Sequence, residues 1–488
     1  MRCGLPIFQG AGLPIFKKVS AELNTELQPH QQRVADKIKQ RSQLVAHGTG
    51  TGKTLSSIAG GVGLGQPMTA IVPTSLVGNY GKEIKKHVKG DMPVEVTSIG
   101  KAINRQFQPQ PGTVVIDEAH GIRNPEAQRF KYLQDVLTPE HRVMLLTGTP
   151  AYNSVSDIAP LINTVRGDKA LPTNKADFDK EYVHLRKVHP GILDRIMGVQ
   201  SGEVAELKNK DRLEQIMDGY VDYHETSQDE NFPERIDEEI RVPMSPSQHQ
   251  AYKYVEGGLP GWARRKIRRN LPPSKAEAKS LNAFMTGLRQ TSLSEAPYVH
   301  GLTPLEAAER SPKLQRALEE IRRQDEEDKN FRAFVYSNYL EAGLKPMQAA
   351  LAARNIPSEI LHGGLSAKQR TDLVNSYNAG DLKVLLGSSA AAEGLDLKGT
   401  KLVQVLDPHF NNSRIEQAVA RGIRYKSHLH LPEDERNVRV QRYVSEIPPS
   451  IWDFLRKRPA ASDDNLMSRA AEKDKLNQEL KEIMRKVT

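Results

Sequence analysis

From Leu27 onward, short apolar runs alternate with longer stretches in which apolar and polar residues recur at helical spacing. The runs Gln43–Ala46, Thr69–Val72, Val94–Ser98, Thr113–Ile116 and Arg142–Leu146 are rich in Val, Ile and Leu and stop at Gly, Pro, Asp or Thr. Unbroken apolar runs of this length predict strands buried on both faces of a parallel sheet. Their alternation with helices predicts a doubly wound α/β domain. Over residues 166–310 the strand signal thins. Charged helical stretches take over, broken by Pro233, Pro243, Pro246, Pro260, Pro272 and Pro273, which predicts a mainly helical insertion. After the acidic run Asp325-Glu326-Glu327-Asp328, read as a solvated linker, the first rhythm returns. Its strands are Ala333–Tyr336, Ser358–Leu361, Val384–Gly387, Leu402–Leu406 and Arg439–Val444, a second α/β domain.

The ends read differently. Gly4-Leu5-Pro6-Ile7-Phe8 recurs as Gly12-Leu13-Pro14-Ile15-Phe16, and the two prolines disfavour helix. This arm has three readings: a segment without function, an apolar strap on the first domain, or a tether to another protein. In the charged tail, Ser462-Asp463-Asp464 marks a helix start. Leu476, Leu480, Ile483 and Met484 give that helix one apolar face, expected to dock on the second domain. The resulting division is 1–24 arm, 25–165 first lobe, 166–310 insertion, 311–456 second lobe and 457–488 terminal helix.

Composition narrows the class. The chain has 488 residues, 38% hydrophobic and 26% charged, a globular balance sufficient for several cores. No apolar run reaches the roughly 18 residues of a membrane span, and the N-terminus lacks a secretory pattern, so an intracellular, cytoplasmic protein is expected. The single cysteine, Cys3, excludes internal disulfides and thiolate zinc sites. A net charge of +9 is weak evidence for a polyanionic partner.

The strongest chemical signal is His47-Gly48-Thr49-Gly50-Thr51-Gly52-Lys53-Thr54, directly after a predicted strand. Gly48, Gly50 and Gly52 let backbone N–H groups converge on phosphates, Lys53 can reach the β- and γ-phosphates, and Thr54 can ligate Mg²⁺. The following helix adds its positive N-terminus. The longer P-loop pattern has Gly where His47 stands, a position where little room is expected. The second signal is Val114-Val115-Ile116-Asp117-Glu118-Ala119-His120. A strand delivering two adjacent carboxylates suits phosphoryl transfer, with Asp117 on Mg²⁺ and Glu118 orienting or deprotonating water. Acids at a helix start are the bland alternative. Chemistry at a γ-phosphate also gains from arginine. In the stretch 413–424, Ile415, Val419 and Ile423 would bury one helix face. Arg414, Gln417, Arg421 and Arg424 would form a polar stripe along another.

These motifs together resemble superfamily 2 helicases and translocases of the DEAH-box type, over about residues 25–445. The resemblance implies two RecA-like parallel-sheet lobes, ATP as substrate and Mg²⁺. It makes Gln31, in Leu27-Gln28-Pro29-His30-Gln31, the adenine contact. Pro73-Thr74-Ser75-Leu76 resembles motif Ia, placing Thr74 on nucleic acid, and Thr147-Gly148-Thr149-Pro150 resembles motif III. Phe334-Val335-Tyr336-Ser337 is similar to motif IV. The stretch 388–397, with Gly394 and Asp396, is similar to motif V, which contacts nucleotide and nucleic acid. Gln417, Arg421 and Arg424 are the functional positions of motif VI, although Ala420 replaces its usual Gly.

Leu288-Arg289-Gln290 and Ser311-Pro312-Lys313-Leu314 resemble the Swi/Snf-like branch. The stretch 421–428 with Leu431-Pro432, Arg436, Val438 and Tyr443 resembles nucleoside triphosphate phosphohydrolase I of poxviruses and related viral ATPases, implying a viral or phage source. Trp262-Ala263-Arg264-Arg265-Lys266-Ile267-Arg268-Arg269 lies in the insertion that the resemblance makes DNA-facing. Arg264, Arg265, Lys266, Arg268 and Arg269 are therefore expected on the phosphate backbone, with a solvated helix face as the alternative. The expected activity is an ATP-driven translocase on duplex DNA. A strand-separating DEAH-type DNA or RNA helicase is the alternative, and a nucleic-acid scaffold with a degenerate ATP site conflicts with the intact motifs.

Overall fold

The computed structural model describes residues 20–196, 199–225, 232–274, 276–388, 395–409, 412–424, 426–451, 453 and 458–488. The duplicated Gly-Leu-Pro-Ile-Phe peptides and Gly394 lie outside them. The chain divides into two compact units, Met1–His184 with Glu206–Ser227 and Lys475–Thr488, and Leu185–Ala205 with Gln228–Asp474.

In the first unit the strands are β1 (Ser20–Leu23), β2 (Gln43–His47), β3 (Met68–Val72), β4 (Val88–Asp91), β5 (Val94–Ser98), β6 (Gly112–Ile116) and β7 (His141–Thr147). The ribbon strands β8 (Val183–Val188) and β9 (Gly202–Leu207), most of whose residues count with the second unit, pair only with each other among the described residues, and β10 (Val221–His224) follows in the first unit. The main sheet has six strands in the order β10-β2-β7-β6-β3-β5, all parallel. Every residue of β2, β3, β6 and β7 except Arg142 is buried, as the unbroken apolar runs predict. Helices α1 (Pro29–Gln40) and α2 (Lys53–Leu64) cover one face, where Val34, Ile38 and Ile58 meet Val45, Met144 and Leu146. Parallel strands send all their carboxyl-terminal loops to one edge. The loops after β2, β3, β6 and β7 carry four of the first-lobe motifs, so topology alone gathers those four there.

The second unit holds β11 (Glu234–Pro243), β12 (Ala333–Tyr336), β13 (Ser358–Leu361), β14 (Val384–Gly387), β15 (Leu402–Val405) and β16 (Asn437–Glu446). Their order is β11-β16-β15-β12-β14-β13, again all parallel. The stretch read as mainly helical is rich in helices, and it also supplies one edge strand to each sheet, β10 and β11. Two apolar clusters pack against this sheet, one around Leu318, Val335 and Leu386 and the other around Phe334, Leu385 and Val440.

The terminal helix runs from Ser462 to Lys486. The expectation that it docks on the second domain holds only for its first half. In the second unit Leu466 joins Met244, Tyr252 and Leu281. Its last turns belong to the first unit, where Lys37 Nζ donates to Thr488 O at 3.0 Å and the Tyr223 amide donates to Thr488 Oγ1 at 2.8 Å. Leu480, Ile483 and Met484 are buried, so the predicted apolar face is real. Among the described residues, no helix is long and apolar enough to cross a membrane.

Lys313, singled out within Ser311-Pro312-Lys313-Leu314, is 1% exposed and pairs at 2.7 Å with the equally buried Asp463. Asp463 also accepts from the Ser445 amide, while Lys313 donates to Leu406 O. Asp463→Ala leaves a buried ammonium without its counter-ion and should destabilise the protein by about 3–5 kcal/mol. Urea unfolding measures this, and a loss below about 1 kcal/mol would mean the pair behaves as a surface bridge.

Candidate nucleotide site

The loop 47–54 leaves β2 and runs into α2. Gly50 and Gly52 have φ of 85° and 78°, the left-handed region in which a side chain is strained. A Cβ on Gly52 would also lie 2.5 Å from Gln31 Nε2. Lys53 Nζ donates to the carbonyls of His47 and Gly48, each at 3.0 Å, so its ammonium is already held over the loop. Gly148, after β7, lies against the same group. A Cβ there would meet Thr49 Oγ1 at 3.3 Å and Lys53 Nζ at 3.6 Å. Motif III thus touches the phosphate loop.

Gln31 is 4% exposed. Its Oε1 accepts from the Gln28 amide at 3.0 Å and its Nε2 donates to Thr51 O at 3.2 Å. The residue expected to read adenine therefore braces the loop here, and contacting a base would require it to exchange these bonds. Thr74 begins the exposed turn Thr74–Leu76 after β3.

At the end of β6 the Asp117 amide still donates to Ile71 O, which holds the carboxylate at the sheet edge. Burial, with Glu118 adding negative charge, pushes the Asp117 carboxyl up to about 6, although Lys53 pulls the other way. Glu118 has φ 50°, a left-handed conformation rare for a non-glycine residue. Glu118 Oε2 lies 3.2 Å from His120 Nδ1. The His120 ring stacks on Tyr152 at 5.0 Å and 4°, and the Arg123 guanidinium covers the same Tyr152 ring at 4.8 Å. Tyr152 follows motif III, so motifs II and III share one aromatic contact, which the sequence reading missed. Among the described residues, no group of three or more His, Cys, Asp or Glu side chains could hold a metal ion by itself. Thr54 and Asp117 are the donors available to a hard cation, which would need substrate phosphates to complete its shell.

In the second unit Ile415, Val419 and Ile423 are buried as expected. The helix, however, is Asn412–Val419, and Arg421 and Arg424 stand beyond its end. The backbone tightens into turns, Arg421 N to Ala418 O and Gly422 N to Val419 O, so the single helical stripe predicted for 413–424 is not formed. Arg424 Nη1 lies 3.7 Å from Asp396 Oδ1, which brings motifs V and VI together. Gln417 is on the helix proper.

The expectation for the basic run is corrected at Lys266. Lys266 is fully buried, 2.5 Å from Glu277 and donating to Pro272 O, and cannot face a polyanion. Arg268 is bidentate to Glu256 and Arg269 pairs with Asp194. The helix Gly261–Arg268 buries Ala263 and Ile267, and Lys266 shares that inner face. Half-buried Arg264 and Arg265 lie on the remainder.

A P-loop and paired carboxylates at the carboxyl edge of a parallel sheet, with a second parallel-sheet unit bearing the arginines, define a nucleoside triphosphatase of the helicase type. Residues 101–296 match the SNF2-related domain and residues 312–426 the helicase conserved C-terminal domain. The chain is a superfamily 2 ATP hydrolase of the Swi/Snf-like branch, near the viral nucleoside triphosphate phosphohydrolase I-like proteins. It is 29% identical to the putative ATP-dependent RNA helicase L538 of Acanthamoeba polyphaga mimivirus, over 86% of this chain and 89% of that one. It is 22% identical to a termination factor NPH-I homolog of African swine fever virus, over 91% and 76%. The Sulfolobus solfataricus SWI2/SNF2 ATPase core in complex with dsDNA aligns over 88% and 90% at 19% identity, with a TM-score of 0.37.

Proposed function

We propose that this chain is a DNA-dependent ATPase that translocates along duplex DNA and displaces or remodels complexes in its path. The observation that carries the ATPase half is geometric: Asp117 and Glu118 follow β6 at the sheet edge where Lys53 is held over the glycine loop after β2. The duplex-tracking half rests on the Swi/Snf-like motifs and on the likeness to a termination factor homolog. Thr54 and Asp117 would hold Mg²⁺ together with ATP, and the ion would supply charge neutralisation for the phosphates. Lys53 holds the same phosphates, and Glu118 orients the attacking water and takes up its proton. Gln417, Arg421 and Arg424 meet the γ-phosphate during turnover, with Gly394 and Asp396 beside them. Gln31 reads adenine once released from the loop. Thr74, Arg264 and Arg265 contact the phosphate backbone of nucleic acid, and the Gly-Leu-Pro-Ile-Phe arm serves as a strap or a protein tether.

A strand-separating helicase is favoured by one observation, the name of the mimivirus relative as an RNA helicase. ATP hydrolysis measured with duplex DNA, single-stranded DNA and RNA, beside a strand-displacement assay, separates the readings. Strong stimulation by duplex DNA without displacement is the expected result. Displacement of an annealed strand, or stimulation by RNA alone, overturns translocation on duplex DNA.

A further inference from the structure

His47 stands where the longer P-loop pattern has glycine, and its ring is fully buried. Its Nε2 lies 2.7 Å from Asp222 Oδ1 in β10. A carboxylate only accepts, so Nε2 carries the proton. Nδ1 is buried and has no hydrogen-bond partner among the described residues. An imidazolium would place a second N–H there with nothing to receive it, so the neutral ring is the stable form. Burial lowers the His47 pKa accordingly, against the pull of Asp222. Asp222 is itself fixed from α1. Arg33 donates through Nε at 2.7 Å and Nη2 at 2.9 Å, and Lys37 Nζ lies 3.1 Å away. Burial would raise the Asp222 carboxyl, but the bonds from His47 and Arg33 outweigh it and hold the group well below the usual range.

The same strand meets the loop again. The Gly48 amide donates to His224 O at 2.8 Å. The His224 ring stacks on His30 at 4.0 Å and 7°, and His30 Nε2 lies 2.8 Å from Thr51 O. A four-residue strand far along the chain therefore reaches the loop directly at residues 47 and 48, and through His30 at residue 51. Two of those three residues, His47 and Gly48, supply the carbonyls that hold Lys53.

We propose that Asp222, acting through the His47 ring, is a positioning residue for the phosphate loop, so that ATP affinity is set in part by β10. The inference rests on the loop 47–54 being the ATP site, and Lys53→Ala tests that separately by loss of binding. The experiment measures binding of a fluorescent ATP analogue with Mg²⁺ and the KM for ATP, in wild type, Asp222→Asn, His47→Gly and the double variant. Asp222→Asn should weaken binding and raise KM about tenfold with kcat changed far less, whereas in the His47→Gly background the same change should matter less than about threefold. Equal losses in both backgrounds would show that Asp222 works through general stability or Arg33, and would overturn the proposal. Wild-type affinity in folded Asp222→Asn would overturn it too. If Asp222→Asn fails to fold, His47→Gly decides alone, because Asp222 keeps Arg33 and Lys37 there. Weakened binding then supports the coupling, and unchanged binding ends it. If Lys53→Ala binds as wild type does, the site assignment falls, a result distinct from any failure of coupling.

Discussion

Lys53→Ala is expected to lower kcat/KM for ATP by at least about a hundredfold while nucleic-acid binding persists. The ammonium does not have to be recruited. It already rests on two main-chain carbonyls at 3.0 Å, so a triphosphate entering the loop finds a cation in place. Charge-assisted bonds of this kind are roughly twice as strong as neutral ones, and alanine removes charge and donors together. The glycine conformations and the α2 terminus remain in the variant, so the lost activity reads the ammonium itself. Phosphate release and a nucleic-acid mobility shift make the measurement. Turnover within about threefold of wild type would remove Lys53 from the site.

Glu118→Gln should lower kcat by about 10²–10⁴-fold with little change in ATP-analogue affinity. Glutamine keeps the shape of the side chain and its left-handed backbone setting, but its amide cannot take a proton from water. Asp117, the residue pushed up to about 6, is unchanged in this variant. A variant that loses affinity and rate together would instead assign Glu118 to binding. Single-turnover hydrolysis beside equilibrium binding separates the two.

Much of this arrangement is legible in the sequence because buried parallel strands must be apolar throughout. β3, β6 and β7 announce themselves in that way, and so do the motifs that follow them. β10 does not, because Val221-Asp222-Tyr223-His224 carries polar groups inward to serve the phosphate loop, and its pattern contradicts its burial. β11 hides for the opposite reason. It is an edge strand whose charges face solvent and neighbouring side chains, and only the alternation of Ile236, Ile240 and Val242 marks it. The basic run misled because charge counts do not say which cations are already paired. The partner of Lys266 is Glu277, and nothing in the spacing identifies it. The misfit at His47 was visible as a missing glycine, but its acceptor is 175 residues away.

That separation has a consequence for biosynthesis. At roughly 5–20 residues per second, a ribosome that has just polymerised His47 needs about 10–35 s more before Asp222 exists. Throughout that interval the nascent chain carries an imidazole whose carboxylate has yet to be translated. The cradle can mature only late, after all of the intervening polypeptide has been made.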